Sequence, residues 1–309
     1  MHLGAILGVL LGTVIATIYM MLSLRLKFWK AKGFDSRVFH FAIPMFIGLL
    51  SITFVQNIDL LSLKILTGSD KLAGYYQAAI TIARIPFWIA GAVLTVVFPY
   101  ISSTKNSVYS NKTLKYSIIF LLLPALSICL APSSFIKLIY PERYLQASQA
   151  LSIASLAIIF LTLNYIFMNI LQAVGKPEIP AKILFASLIF QAILLYFLVP
   201  KFGLIGAPLS TLISMAVCSA LLLYRYATVF GVNLNSSTLL KFTLICAIIL
   251  AIFLIIPHHS RILLVVDLLI SFALYAILIM TLKVLDEKDI EILFKPIPIV
   301  NRLIERFTD

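Results

Sequence analysis

The stretch GYYQAAITIARIPFWIAGAVLTVVFPYIS, residues 74–102, decides the fold. From Tyr75 to Ile101 it carries one charge, Arg84, in a run otherwise dominated by Ala, Ile, Val, Leu and aromatic residues. A helix needs about 20 predominantly apolar residues to cross about 30 Å of hydrocarbon, and this run exceeds that. It lacks the strict alternation of a membrane β-strand. In hydrocarbon each backbone N–H and C=O must find its partner within the chain, which leaves the helix as the form such a segment takes.

The same pattern recurs along the chain. Pro, Gly and charges separate runs at Leu3–Leu24, Val38–Leu66, Tyr75–Ile101, Leu114–Ile136, Gln146–Val174, Ile179–Val199, Leu204–Thr228, Leu239–Pro257 and Ile262–Leu285. The expected fold is therefore an all-α membrane protein of about nine transmembrane helices, a multi-pass protein of the cell membrane. Composition agrees: 62% of residues are hydrophobic and 12% charged, against roughly 25% charged in a soluble domain. The formal net charge of +12 has an explanation in loops rather than in nucleic acid, since no basic helix or aromatic RNA platform accompanies it. Cys129, Cys218 and Cys246 lie inside apolar runs and read as small hydrophobes.

Lys and Arg set the orientation. Assigning alternate loops to opposite sides puts 17 of them on one face, including Arg25, Lys27, Lys30, Lys32 and Arg37, and 6 on the other: Lys64, Lys71, Lys137, Arg143, Lys201 and Arg261. The richer side is cytoplasmic, so the C-terminus is expected inside and the N-terminus outside. A short repeat bears on that start. His2-Leu3-Gly4-Ala5-Ile6-Leu7-Gly8 matches Leu204-Ile205-Gly206-Ala207-Pro208-Leu209-Ser210 at Gly, Ala and Leu, and both open a helix running from outside to inside. Transporters are often built from repeated halves. The repeat leads to the expectation of a longer transporter whose first half lacks roughly 165 residues and five helices here.

Phe54-Val55-Gln56-Asn57-Ile58-Asp59, Gly74-Tyr75-Tyr76-Gln77-Ala78-Ala79, Phe98-Pro99-Tyr100-Ile101-Ser102, Leu171-Gln172-Ala173-Val174-Gly175-Lys176-Pro177 and Gly203-Leu204-Ile205-Gly206-Ala207-Pro208 together resemble the polysaccharide flippases of the multidrug/oligosaccharidyl-lipid/polysaccharide exporter superfamily. The resemblance covers nearly the whole chain as helices six to fourteen of fourteen. It implies residues 1–24 as the last helix of a truncated first lobe, 25–37 as a basic cytoplasmic loop, 38–228 as a six-helix lobe, 229–285 as two further helices and 286–309 as a cytoplasmic tail. It also implies alternating-access flipping of a polyprenol-(pyro)phosphate-linked glycan. The expected partners are that lipid-linked glycan, membrane lipid and the missing lobe on a separate chain, with no nucleic acid. A drug or cation exporter of the same superfamily and a non-transporting remnant or membrane scaffold are the competing readings.

Candidate site residues lie on three helices. Gln77, Thr81, Arg84, Trp88, Gly91 and Thr95 are spaced by 4, 3, 4, 3 and 4 residues, along one face of a continuous helix. Arg84 falls about nine residues, roughly 14 Å, below the outer end, near mid-membrane, where a charge is expensive and marks a functional site. Its guanidinium fits a phosphate, and a structural ion pair with Asp59 is the alternative. Asn57 and Asp59 on the preceding helix, and Asn164 on a later one, complete the expected substrate-binding set. Asp59 is open to a cation or proton role, and Asn164 to simple interhelical hydrogen bonding. No P-loop, catalytic triad or metal-ligand spacing appears, so neither an enzyme nor a cofactor is expected.

The charge split predicts that a cysteine introduced as Asp70→Cys reacts with an impermeant thiol reagent from outside, and one introduced as Lys30→Cys only after permeabilisation. Outside labelling at position 30 contradicts the orientation.

Overall fold

The computed structural model describes residues 2–23, 36–104, 107–230 and 261–281, and the elements among them are helices without a strand. They are α1 (His2–Ser23), α2 (Ser36–Thr67), α3 (Asp70–Ala83), α4 (Ile85–Thr104), α5 (Ser107–Leu130), α6 (Pro132–Ile139), α7 (Ser148–Ala173), α8 (Glu178–Phe202), α9 (Gly206–Phe230) and α10 (Arg261–Thr281), with short 3₁₀ turns at Glu142–Ala147 and Gly203–Ile205. The all-α membrane fold expected from composition is observed. The expected span Leu239–Pro257, most of the basic loop and the tail lie outside the described residues.

Two compact units are distinguished, Met1–Ala42 and Ile43–Asp309. In the first, α1 is uncharged along its 22 residues, and its described side chains are exposed. In the second, α7 is the central helix, with α3, α4, α5 and α9 packed against it. Its buried positions include Leu151, Ala154, Ile158, Leu161 and Ile166. Among the described residues five segments are long and apolar enough to cross a membrane: Val38–Thr67, Asp70–Thr95, Ser110–Leu130, Glu142–Ala173 and Glu178–Phe230.

Two expected helices are broken, and proline accounts for both. The run Tyr75–Ile101 divides at Arg84 into α3 and α4. Pro86 has no N–H for Ile82 C=O, and the residue before a proline is pushed off regular helix geometry. Helical bonding still crosses the break, with Arg84 N–H donating to Ile80 C=O at 3.1 Å and Trp88 N–H to Arg84 C=O at 3.2 Å. The result is a kink within one span, not a turn. The run Leu114–Ile136 ends at Leu130, and Pro132 opens the separate short helix α6, proline being well tolerated in a first turn.

Glycines end helices where the chain must turn. α7 closes with Gly175 at φ 84, and Lys176 N–H reaches back to Leu171 C=O at 2.9 Å, a Schellman closure that satisfies an otherwise orphaned carbonyl. Gly203 at φ 55 turns α8 back along α9. Gln191 and Thr211, hydrogen-bonded at 2.9 Å, lie on either side of that turn and fix the hairpin's register. The Gly206 of the repeated motif has a packing reason. A Cβ there would lie 2.3 Å from Leu198 C=O, so only glycine lets the two helices close.

Gly206→Ala is therefore expected to destabilise the purified protein by about 1–3 kcal/mol, the usual cost of overpacking, read as a lowered thermal midpoint in detergent. Gly91→Ala, where the added carbon meets nothing within 4 Å beyond its own turn of helix, should not lower it. Equal midpoints for wild type and Gly206→Ala contradict the close approach.

Candidate functional site: a polar cleft at the helix kink

The kink at Arg84 opens a cleft of about 300 Å³, its mouth included. Val55, Gln56 and Asp59 from α2, Tyr76 and Ile80 from α3, and Arg84 itself line it on one side, with Pro208 and Thr211 from α9. Ala154, Ala157, Ile158 and Leu161 of α7 form an apolar wall. One side of the cleft is thus rich in hydrogen-bonding groups and the other is hydrocarbon.

Asp59 is 1% exposed, and a buried carboxyl needs donors around it. Tyr76 OH donates to its Oδ2 at 2.6 Å, Leu60 N–H donates to its Oδ1 at 2.7 Å, and Thr211 Oγ1 lies 3.5 Å from Oδ2. Thr211 is held in turn by Gln191, whose Nε2 donates to Thr211 Oγ1 at 2.9 Å and to Val55 C=O at 3.2 Å. A polar network therefore joins α2, α3, α8 and α9 inside an apolar bundle.

Arg84 is half-buried. Its Nη2 donates to the Gln56 C=O, and its Nε is buried without a partner. In a regular helix Gln56 C=O is the acceptor for Leu60 N–H. Here both groups of that pair have a further partner, Arg84 for the carbonyl and Asp59 for the N–H. Asp59 and Arg84 share the cleft, as expected of two charges at similar depth, yet they form no ion pair within 4.0 Å. Asp59 is instead satisfied by Tyr76, and Arg84 leans on backbone.

The other expected site residues do not line the cleft. Gln77 and Thr81 are exposed on α3, bonded to each other at 3.3 Å. Trp88 is 66% exposed and packs edge-on against Phe87. Asn57 is exposed and folds back onto Thr53 C=O at 2.8 Å. Asn164 is fully buried between α7 and α9. There it donates to Met215 C=O at 3.1 Å and accepts from Ser219 Oγ at 2.8 Å. The stripe through Gln77, Thr81 and Trp88 is not the cleft face. Arg84 sits on the wheel between that stripe and the adjacent one, and the adjacent one, Tyr76 and Ile80 at intervals of four, lines the cleft with it.

Tyr76, Thr211 and Gln191 are the network members that sequence reasoning missed. Two signals were available. Tyr76 lies two turns before Arg84, and Gln191 is the one amide side chain in the long apolar run of α8.

A family model described as polysaccharide biosynthesis protein matches residues 2–105. An uncharacterized membrane protein of Methanocaldococcus jannaschii is 32% identical over 197 residues, which are 60% of this chain and 39% of that protein. A putative O-antigen transporter of Shigella flexneri is 31% identical over 173 residues, 54% of this chain and 41% of that one. Among solved structures, the lipid II flippase MurJ in an inward closed conformation shares the fold at a TM-score of 0.66 and 21% identity, over 86% of this chain and 60% of that chain. The chain spans about two fifths of the length of these curated relatives. It is a multi-pass membrane protein. The chain is thus similar to a polysaccharide biosynthesis family over its first third and to an O-antigen transporter over about half its length, in keeping with the resemblance of its sequence to polysaccharide flippases.

The network makes a quantitative prediction. Tyr76→Phe leaves Asp59 short of its nearest donor and should cost about 1–3 kcal/mol. In an Asp59→Leu background the same change should cost much less, because coupled residues are not additive. Thermal unfolding of the two single variants and the double variant tests this, and strictly additive losses contradict the pairing.

Proposed function

We propose that this chain carries the substrate-binding cleft of a transporter that flips an anionic, polyprenol-(pyro)phosphate-linked glycan across the membrane by alternating access. The observation that carries the reading is Arg84: a guanidinium at a kink in a membrane span, lining a cleft, with a buried N–H that has no partner. A charge in hydrocarbon is costly unless paired. Asp59 does not pair with it, so an anion entering the cleft supplies the missing acceptors. A phosphate does so well, because its oxygens match the planar fork of the guanidinium. The α7 wall of Ala154, Ala157, Ile158 and Leu161 suits the first isoprene units beside that phosphate. Support from outside the chain comes from the O-antigen transporter relative and from the fold shared with a lipid II flippase.

The kink supplies a place for movement. Pro86 leaves the α3–α4 junction one backbone bond short, and Arg84 bridges from that junction to the Gln56 carbonyl of α2. Substrate phosphate competes with this carbonyl for the guanidinium, so binding loosens α3–α4 from α2 and biases the lobe toward its other orientation. In this proposal residues 38–228 act as one six-helix lobe. A cationic substrate is the weaker reading because the carboxyl it would use, Asp59, is already enclosed by donors.

Glycolipid flipping in proteoliposomes, by this chain or by a longer protein containing it, tests the proposal. Arg84→Ala should lose nearly all activity and Arg84→Lys should keep part, since lysine retains the charge but not the fork. Wild-type flipping by a well-folded Arg84→Ala variant overturns it.

A further inference from the structure

We propose that the end of the bundle formed by the start of α3, the end of α6 and the Glu142–Ala147 turn is a docking site for the phosphate headgroups of membrane phospholipids. The site is separate from the Arg84 cleft and does not rest on the flippase reading.

Three elements pack together there, and each contributes a tyrosine or a cation. Tyr75 of α3 meets Tyr144 edge-on at a centroid distance of 5.6 Å, and Tyr140 lies 5.2 Å from Tyr144. Lys71 Nζ sits 5.8 Å from the Tyr75 ring centre, and Arg143 Cζ sits 5.4 Å from that of Tyr144. Lys137 is in the last turn of α6 and exposed. Lys64, close by in sequence, is neutralised by Asp70 at 2.9 Å. Lys71, Lys137 and Arg143 have no carboxylate within 4.0 Å among the described residues, although Glu142 is exposed on the same turn.

The arrangement separates two roles. The Tyr75 and Tyr144 rings each cover one face of a cation, Lys71 and Arg143, and leave N–H donors for phosphate oxygens. Tyrosines favour the depth of the headgroups. Beside Lys137, Leu138 is 37% exposed and Ile139 52% exposed, so a cation and two aliphatic side chains emerge from one turn of a short helix. A soluble anion needs no such apolar neighbours. A phospholipid satisfies both, with phosphate at the cations and acyl chain against Leu138 and Ile139. Charge points the same way. On the face with fewer Lys and Arg, four of the six (Lys64, Lys71, Lys137 and Arg143) fall at this one end.

Native mass spectrometry of the purified 309-residue chain, titrated with phosphatidylglycerol and with phosphatidylcholine, reads the site directly. Wild type should bind phosphatidylglycerol preferentially. Each cation removed from the set Lys71→Gln, Lys137→Gln and Arg143→Gln should weaken that binding about fivefold, the equivalent of about 1 kcal/mol per charge at a membrane surface. Lys137→Gln alone, at an exposed position, gives the readout if the triple variant fails to fold. A control triple, Lys176→Gln, Lys182→Gln and Arg225→Gln, removes the same charge elsewhere and should leave the preference intact. Three results overturn the proposal: an unchanged preference in the well-folded triple or in Lys137→Gln, an equal loss in the control, or binding of a polyprenyl phosphate at these residues where phosphatidylglycerol does not bind. Loss of flipping in Arg84→Ala is independent of all three.

Discussion

A carboxyl buried in an apolar bundle must be surrounded by donors, and the way Asp59 meets that requirement organises the helices around the cleft. Its donors come from α2 and α3, with Thr211 of α9 close by, and Gln191 brings in α8 through Thr211. Each of these groups is costly to leave unsatisfied away from water. Apolar contact alone specifies helix register weakly, because one leucine face resembles another. Directional bonds at 2.6–2.9 Å do not tolerate a slip of one residue. The network therefore sets how the helices meet, and the cleft is the space left beside it.

Arg84 depends on that arrangement. Asp59 is enclosed by Tyr76, no carboxylate among the described residues pairs with the guanidinium within 4.0 Å, and it reaches instead for the carbonyl of Gln56. Pro86 makes this possible by breaking the regular helix at the point where Arg84 must turn into the cleft. The same residues that hold the lobe together thus leave one cation incompletely satisfied. An anion is the chemistry best suited to complete it.

Much of the fold was legible in the sequence. Long apolar runs admit only helices in a membrane, so fold class followed from length and composition. Arg84 stood out because it is the one charge in residues 75–101 and a charge at that depth needs a partner, and Asp59 because it lies at a similar depth and could be that partner. What was not legible was which neighbours these two residues chose. On a helical wheel Arg84 falls between Ile80 and Gln77, so spacing alone did not say whether Tyr76 and Ile80 or Gln77 and Thr81 join it in the cleft; packing against α2 and α7 turns the first pair inward. Partner choice across helices is also hidden from spacing. Nothing in the local pattern of α8 or α9 says that Gln191 and Thr211 stand opposite each other and reach Asp59. That follows from the hairpin at Gly203 and the close approach at Gly206.

The central claim is that Arg84 holds an anionic lipid phosphate in this cleft. A photoreactive residue introduced at Ile158, on the opposite wall, tests it most directly when membranes are incubated with a radiolabelled polyprenyl-diphosphate glycan and irradiated. The account predicts a labelled adduct that is lost with Arg84→Ala and retained with Trp88→Ala, since Trp88 points away from the cleft. An adduct of equal yield in the Arg84→Ala protein contradicts it.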